Sequence, residues 1–385
     1  FIGDFRGPNA TMNNVVINGY DLENRNQIGT TTKIESIQNT IPGGGDYRGE
    51  NYTGGLIGRI YQVSSVNSAQ YIGSSLDIDR IQMQGHESPD SAFCGGLIGF
   101  IKNNAKTDTG KIMISNCMVK NAFIDGRATT TIIYGNPDIY VSGLVGACYT
   151  SDAFNLLYIE NSKVYNSTIN CLGNERIEAF ASGILGAATW AGTHYINDCY
   201  VYGSKIVATS NSATNLANPR KDNAYVAGIC SHITSTTINV NHCVVIDSLL
   251  DSISQNGESF ASGMVYHYSS STIRLNNCYT NAYLNTSKNN YPITNMGTCN
   301  RSYYVLQNIT NVASNLGIAL DFSRQRVNGK NVSITSILTG LNNNDGVGKK
   351  ILPILKSNEY FSVNNGGTNN IILLSYIGQN NDRRT

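Results

Sequence analysis

One short stretch recurs along this chain and constrains its fold more than any other feature: FCGGLIGF, beginning at Phe93. The same frame reads YTGGLIGR from Tyr52, YVSGLVGA from Tyr140, FASGILGA from Phe180, YVAGICSH from Tyr225 and FASGMVYH from Phe260. An aromatic residue leads each copy. Three residues on stands a glycine (Gly55, Gly96, Gly143, Gly183, Gly228, Gly263), followed by two bulky apolar residues. These glycines recur every 35 to 47 residues, a period that signals a solenoid, a propeller or an array. The segments between them are short β-branched and aromatic runs broken by Asn, Gly and Ser, without the three- and four-residue apolar spacing of a helix. The repeat is therefore a β-repeat.

A second strip aligns on Cys117, with Cys199, Cys243 and Cys278 as counterparts and Ser162, Leu76 and Asn14 in the remaining copies. Apolar parity changes on either side of this strip, which places a bend at Asn116, Asn161, Asp198, His242 and Asn277. A second change of parity places another bend at Asn121, Asn166, Gly203 and Asp247. Asn and Asp tolerate the left-handed conformation such corners need. Each repeat then consists of three short strands joined by bends and followed by a polar loop of variable length, such as 126–137 or 209–223.

Stacked three-strand turns pair in parallel, and parallel crossovers are overwhelmingly right-handed. The expected fold is all-β, a right-handed parallel β-helix of about eight coils over residues 1–322, with a cap and tail over 323–385. The alternative is a β-propeller, which needs antiparallel blades and hairpin turns that are sparse here. Phe1-Ile2-Gly3 matches Leu56-Ile57-Gly58, so residue 1 lies inside a motif and the natural polypeptide is expected to extend further. Of two consecutive apolar residues after the motif glycine, only one can face a flat sheet's core. The other is expected to be covered from outside by the loops, and the leading aromatics are expected to be internal.

The Gly-Leu-Ile-Gly and Gly-Leu-Val-Gly cores, followed by Asn-Cys-x-Val strands, resemble the GLUG motif, a repeat of bacterial surface proteins that also lies beside the catalytic region of IgA1-specific metalloproteases. The resemblance spans roughly residues 1–356, with Ser231 and Tyr266 replacing the second glycine in the last two copies. It implies a secreted or surface-displayed bacterial β-helix, adhesive in role, and no catalytic residue.

Charged residues make up 14% of the chain and the net charge is +1, which leaves no basic surface for nucleic acid. No apolar run is long enough for a membrane span. Nine cysteines include no Cys-x-x-Cys pair, so zinc and disulfide frameworks give way to stacked reduced thiols acting as small hydrophobes. His232 and His267 fall four residues after their motif glycines and are expected as two surface histidines on one strand face. His86-Glu87 lacks a second histidine four residues on and has Pro89 nearby, which excludes a zinc-protease helix. Asp77 and Asp79, beside Arg80, have only Met118 and Lys120 as counterparts one coil on, too little for a carbohydrate-active site.

The expectation is thus a non-enzyme with no catalytic, cofactor-binding or metal-binding residues, located outside a bacterial cell. It would present loops to a glycan or to a host or bacterial surface protein. Tyr47, Tyr134, Tyr149, Trp190 and Tyr291 are the candidate contacts, because rings stack on sugars at small entropic cost. The competing class is a polysaccharide lyase or glycoside hydrolase on the same scaffold.

Overall fold

The computed structural model describes most residues between 50 and 321, the largest breaks being 63–68, 87–90, 104–110, 129–137 and 212–221, with isolated strands on either side. Among the described residues there is no helix, and every repeat pairs with the next in parallel. Antiparallel pairing enters only after Ile318, in short ribbons such as Arg326–Val327 with Lys330–Asn331. The expected all-β fold of parallel sheets forms, and the antiparallel blades of a propeller do not.

The coil from Glu178 to Asn211 shows the plan. Its strands are Glu178–Ser182, Leu185–Trp190, Thr193–Asn197, Tyr200–Tyr202 and Lys205–Asn211. Five segments replace the three expected, because the motif itself is broken at its glycine and the two bends separate the rest. Register between coils follows the motif alignment: Tyr140 pairs with Phe180, Phe180 with Tyr225, and Ile2 with Ile57. Asp77 and Asp79 pair with Met118 and Lys120, as the sequence alignment requires.

Both bends adopt the expected left-handed backbone, at Asn116, Asn161, Asp198, His242 and Asn277 and again at Asn121, Asn166, Gly203 and Asp247. The following side chain ties one coil to the next. Ser162 Oγ donates to Glu160 O in its own coil (2.9 Å) and accepts from Cys117 N in the coil before (3.2 Å). Cys243 takes the same place: its Sγ donates to Asn241 O and accepts from Cys199 N, both at 3.4 Å. At the second bend Ser167, Ser204 and Ser248 accept from Ala122, Ser167 and Ser204 N, each at 3.2 Å. The stacked cysteines are buried and free, yet they serve as hydrogen-bonding corner residues in place of serine, which the small-hydrophobe expectation missed. An amide ladder runs alongside, Asn276 to Asn241 to Asn197, with Nδ2 to Oδ1 distances of 2.9 and 2.8 Å.

One apolar cluster fills the stack, drawing Ala179 and Ala181, Leu185 and Ala188, Ile196, Val201, and Ile206 and Ala208 from the five segments of this coil. Both residues after the motif glycine belong to it, Leu144 with Val145 and Ile184 with Leu185, all fully buried. This corrects the expectation that loops cover one of each pair. The chain turns at the glycine, so alternation restarts there and neighbouring side chains both point inward. A Cβ at Gly183 would collide with Gly228 O of the next coil and with Val201, so the turn needs a residue without one.

The loops 129–137 and 212–221, the segment 334–356 expected as a cap, and most of the expected strand 371–377 lie outside the described residues. The strands Phe123–Ala128 and Lys205–Asn211 run into what the sequence assigned to loop.

Candidate functional site: an aromatic face outside the core

Alternation along the strand before the motif puts Ala179 and Ala181 in the core and sends Phe180 to the other face. Because every coil has an aromatic at that position, the rings stack along the molecule. Centroids are 5.7 Å apart for Tyr52 and Phe93, 5.5 Å for Phe93 and Tyr140, and 5.1 Å for Tyr140 and Phe180. Phe180 and Tyr225 follow at 4.6 Å, and Tyr225 and Phe260 at 5.0 Å. Interplanar angles of 5° to 17° make this a parallel stack. The ladder is buried, as expected, but it is not part of the central core.

The strand after the motif covers it. Phe100, Ala147, Ala187 and Tyr266 pack on the rings in a second cluster, which requires the outer faces of the two strands to meet across the motif corner. The second motif glycine permits that approach, since a Cβ at Gly186 would collide with Gly146 O. Where this glycine is lost, Ser231 donates its Oγ to Gly186 O at 3.0 Å, and Tyr266 joins the ring cluster 5.1 Å from Tyr225.

Three of the five predicted contact residues lie on this face. Tyr149 stands edge-on to Phe93 and Phe100 and 5.1 Å from Trp190. Trp190 is 46% exposed in a left-handed conformation, and Tyr291 lies 5.8 Å from Tyr266. Tyr47 and Tyr134 lie outside the described residues. Sequence reasoning missed Tyr268, 40% exposed and seated over His232 at 4.6 Å, and the polar groups beside it.

Those groups stand two residues before the rings, on the same face: Asp138, Glu178, Asn223 and Glu258. Their position relative to each motif was legible, and only their common orientation was not. Asp138 accepts from the Tyr140 hydroxyl at 2.8 Å. Glu178 is a hub. Its Oε1 accepts from Asn223 Nδ2 at 3.2 Å and the Tyr225 hydroxyl at 3.3 Å, and its Oε2 from the Tyr268 hydroxyl at 2.8 Å. Burial pushes the Glu178 carboxyl up, and these three donors pull it partly back. Burial and the neighbouring Glu178 carboxylate push the Tyr225 phenol far above its usual range.

His232, in register with Ala187, was expected on the surface. It is instead buried against Phe180 (4.6 Å) and Tyr140 (5.2 Å), because the rings beside it offer an apolar socket. Its Nε2 lies 2.7 Å from Thr234 Oγ1, its Nδ1 has no partner, and burial lowers its pKa to about 3, so it is neutral. His267 is also buried, and its Nε2 accepts from Ser271 N at 3.3 Å. Among the described residues no three His, Cys, Asp or Glu side chains gather in a way that could hold a metal. The site can hold rings by stacking and can offer carboxylate acceptors at its rim.

No family model matches the chain, and no curated protein matches it. The GLUG likeness therefore stays a resemblance. The chain is similar to the crystal structure of a "putative immunoglobulin A1 protease" from Bacteroides ovatus, with 12% identity over 73% of this chain and 83% of that one, at a TM-score of 0.41. That finding corrects the expectation of a non-enzyme. A similar structure carries the name of a protease, so the lack of a recognisable catalytic motif is no ground for excluding catalysis here. A likeness this loose assigns no residue and no activity to the present chain.

Proposed function

We propose that this chain is a GLUG-type repeat scaffold, a right-handed β-helix of about eight coils displayed outside a bacterial cell, which holds a glycan along its outer aromatic face. One observation carries the reading: a row of stacked rings lies outside the central core and is rimmed by Tyr149, Trp190, Tyr268 and Tyr291. Sugar rings present apolar C–H faces that such side chains cover while their hydroxyls meet polar neighbours, and Tyr and Trp lose little entropy on binding. The coil repeat of about 4.8 Å gives a pitch close to one saccharide unit, so an extended chain can lie along several coils.

Cleavage of the bound chain is the second reading, and a specific pairing favours it. Asp138 and Glu178 are register partners on adjacent coils, and only Glu178 stands in surroundings that raise its carboxyl. An acid with a raised pKa beside a second carboxylate is the pairing that glycoside hydrolysis uses. A glycan array scored beside a reducing-end release assay tests both. Binding that Trp190→Ala and Tyr149→Ala weaken supports the face as a glycan site. Turnover abolished by Glu178→Gln supports cleavage, and an array blank at every position refutes the reading.

A further inference from the structure

We infer that the aromatic face selects its glycan by charge, taking chains that carry protonated amines and rejecting polyanionic ones, with Glu178 as the specificity-determining residue. The inference rests on the glycan reading above and goes further by naming the ligand's chemistry. Its basis is the arrangement of charge around the rings. Asp138 pairs with Glu178, and Asn223 bridges Glu178 to the next coil by accepting from Glu258 N at 2.8 Å. Carboxylates therefore recur along one side of the stack. Beside them Asp222 is 2% exposed, and its Oδ1 is buried without any hydrogen-bond partner. A buried carboxylate oxygen in that state is an acceptor lacking its donor.

Opposing charge is missing from the same stretch. Among the described residues, the positions paired with Tyr140 and Ala147 through the next two coils are Phe180 and Tyr225 on one strand, and Ala187 and His232 on the other. None is Lys or Arg, and His232 is neutral. The nearest cations on this face belong to earlier coils: Arg59, 5.1 Å over the Tyr52 ring, and Lys102, in register with Tyr149. Ring faces add to the preference, since their negative quadrupole attracts an ammonium and repels a carboxylate or sulfate. A polyanion laid along Asp138, Glu178 and Glu258 would meet like charge and no counter-ion.

The test uses the whole chain and three tetrasaccharides of equal length, of glucosamine, N-acetylglucosamine and galacturonic acid, titrated calorimetrically near neutral pH at low salt. Glucosamine should bind tightest and galacturonate weakest. Glu178→Gln should bring glucosamine towards N-acetylglucosamine by about two- to fivefold, the size of one accessible ion pair, and leave the N-acetylated ligand unchanged. Asp138→Asn should act in the same direction, which guards against a Glu178 variant that folds poorly. Galacturonate binding as tightly as glucosamine would overturn charge selection while leaving the glycan site standing. Failure of all three to bind would remove the glycan reading and this inference with it. Hexalysine binding as well as the glucosamine tetramer would make the face a peptide site and overturn both.

Discussion

Replacing His194 by leucine should make the protein more resistant to acid. His194 lies on Thr193–Asn197 and points into the central core, fully buried, between Leu157 and Ile238 on the adjacent coils. Neither ring nitrogen has a partner, and burial lowers its pKa to about 4. In the unfolded chain a histidine titrates near 6.5. Between these values the unfolded chain binds a proton that the folded one refuses, so stability is complete above pH about 6.5 and is lost as pH falls towards 4. At pH 4.5 the loss spans about two pH units, or roughly 2.7 kcal/mol at 1.36 kcal/mol per unit. Leucine removes this term and the two unsatisfied nitrogens, and it suits a column that otherwise reads Ile112, Leu157, Ile238, Ile273. Urea denaturation of both proteins at pH 7.5 and 4.5 gives the comparison. The advantage of His194→Leu should grow by about 2 to 3 kcal/mol at the lower pH. His232, also held neutral by burial, contributes equally to both proteins and cancels. An advantage that stays constant with pH would refute the reasoning.

Three further substitutions test the scaffold. Phe180→Ala, in the middle of the ring stack, should cost about 3 to 5 kcal/mol, whereas Trp190→Ala, half exposed, should cost far less. Comparable losses in thermal or chemical melts would mean that the ladder does not support the fold. Gly183→Ala should be among the most damaging changes in the chain, because the new methyl meets backbone of the next coil, and normal expression and melting would contradict the close approach. Cys199→Ser should be tolerated to within about 1 kcal/mol, while Cys199→Val, though more apolar, should cost about 1 to 3 kcal/mol by leaving the corner unbonded. The reverse order would show that the thiols matter only as hydrophobes.

How much of this was legible beforehand differs from one position to the next. The coil register and both left-handed bends could be read directly, because they depend on residues acting locally: Asn, Asp or Gly where φ must be positive, and aligned apolar residues where parallel strands must match. Asn161 and Asn166 mark their corners wherever the rest of the chain goes. The face on which a side chain emerges after the motif glycine is different, since it depends on which way the chain turns. Leu144 and Val145 share the core and Phe180 leaves it because the corner closes the outer faces of two strands on each other, and alternation within either strand carries no information about that turn. The Glu178 hub was hidden for a second reason. Its donors Tyr225 and Tyr268 belong to later coils, Tyr268 lying 90 residues away in the chain, and stacking alone brings them within hydrogen-bond reach. What acts within a few residues was determined by the sequence itself, and what acts between coils was decided only when the coils packed.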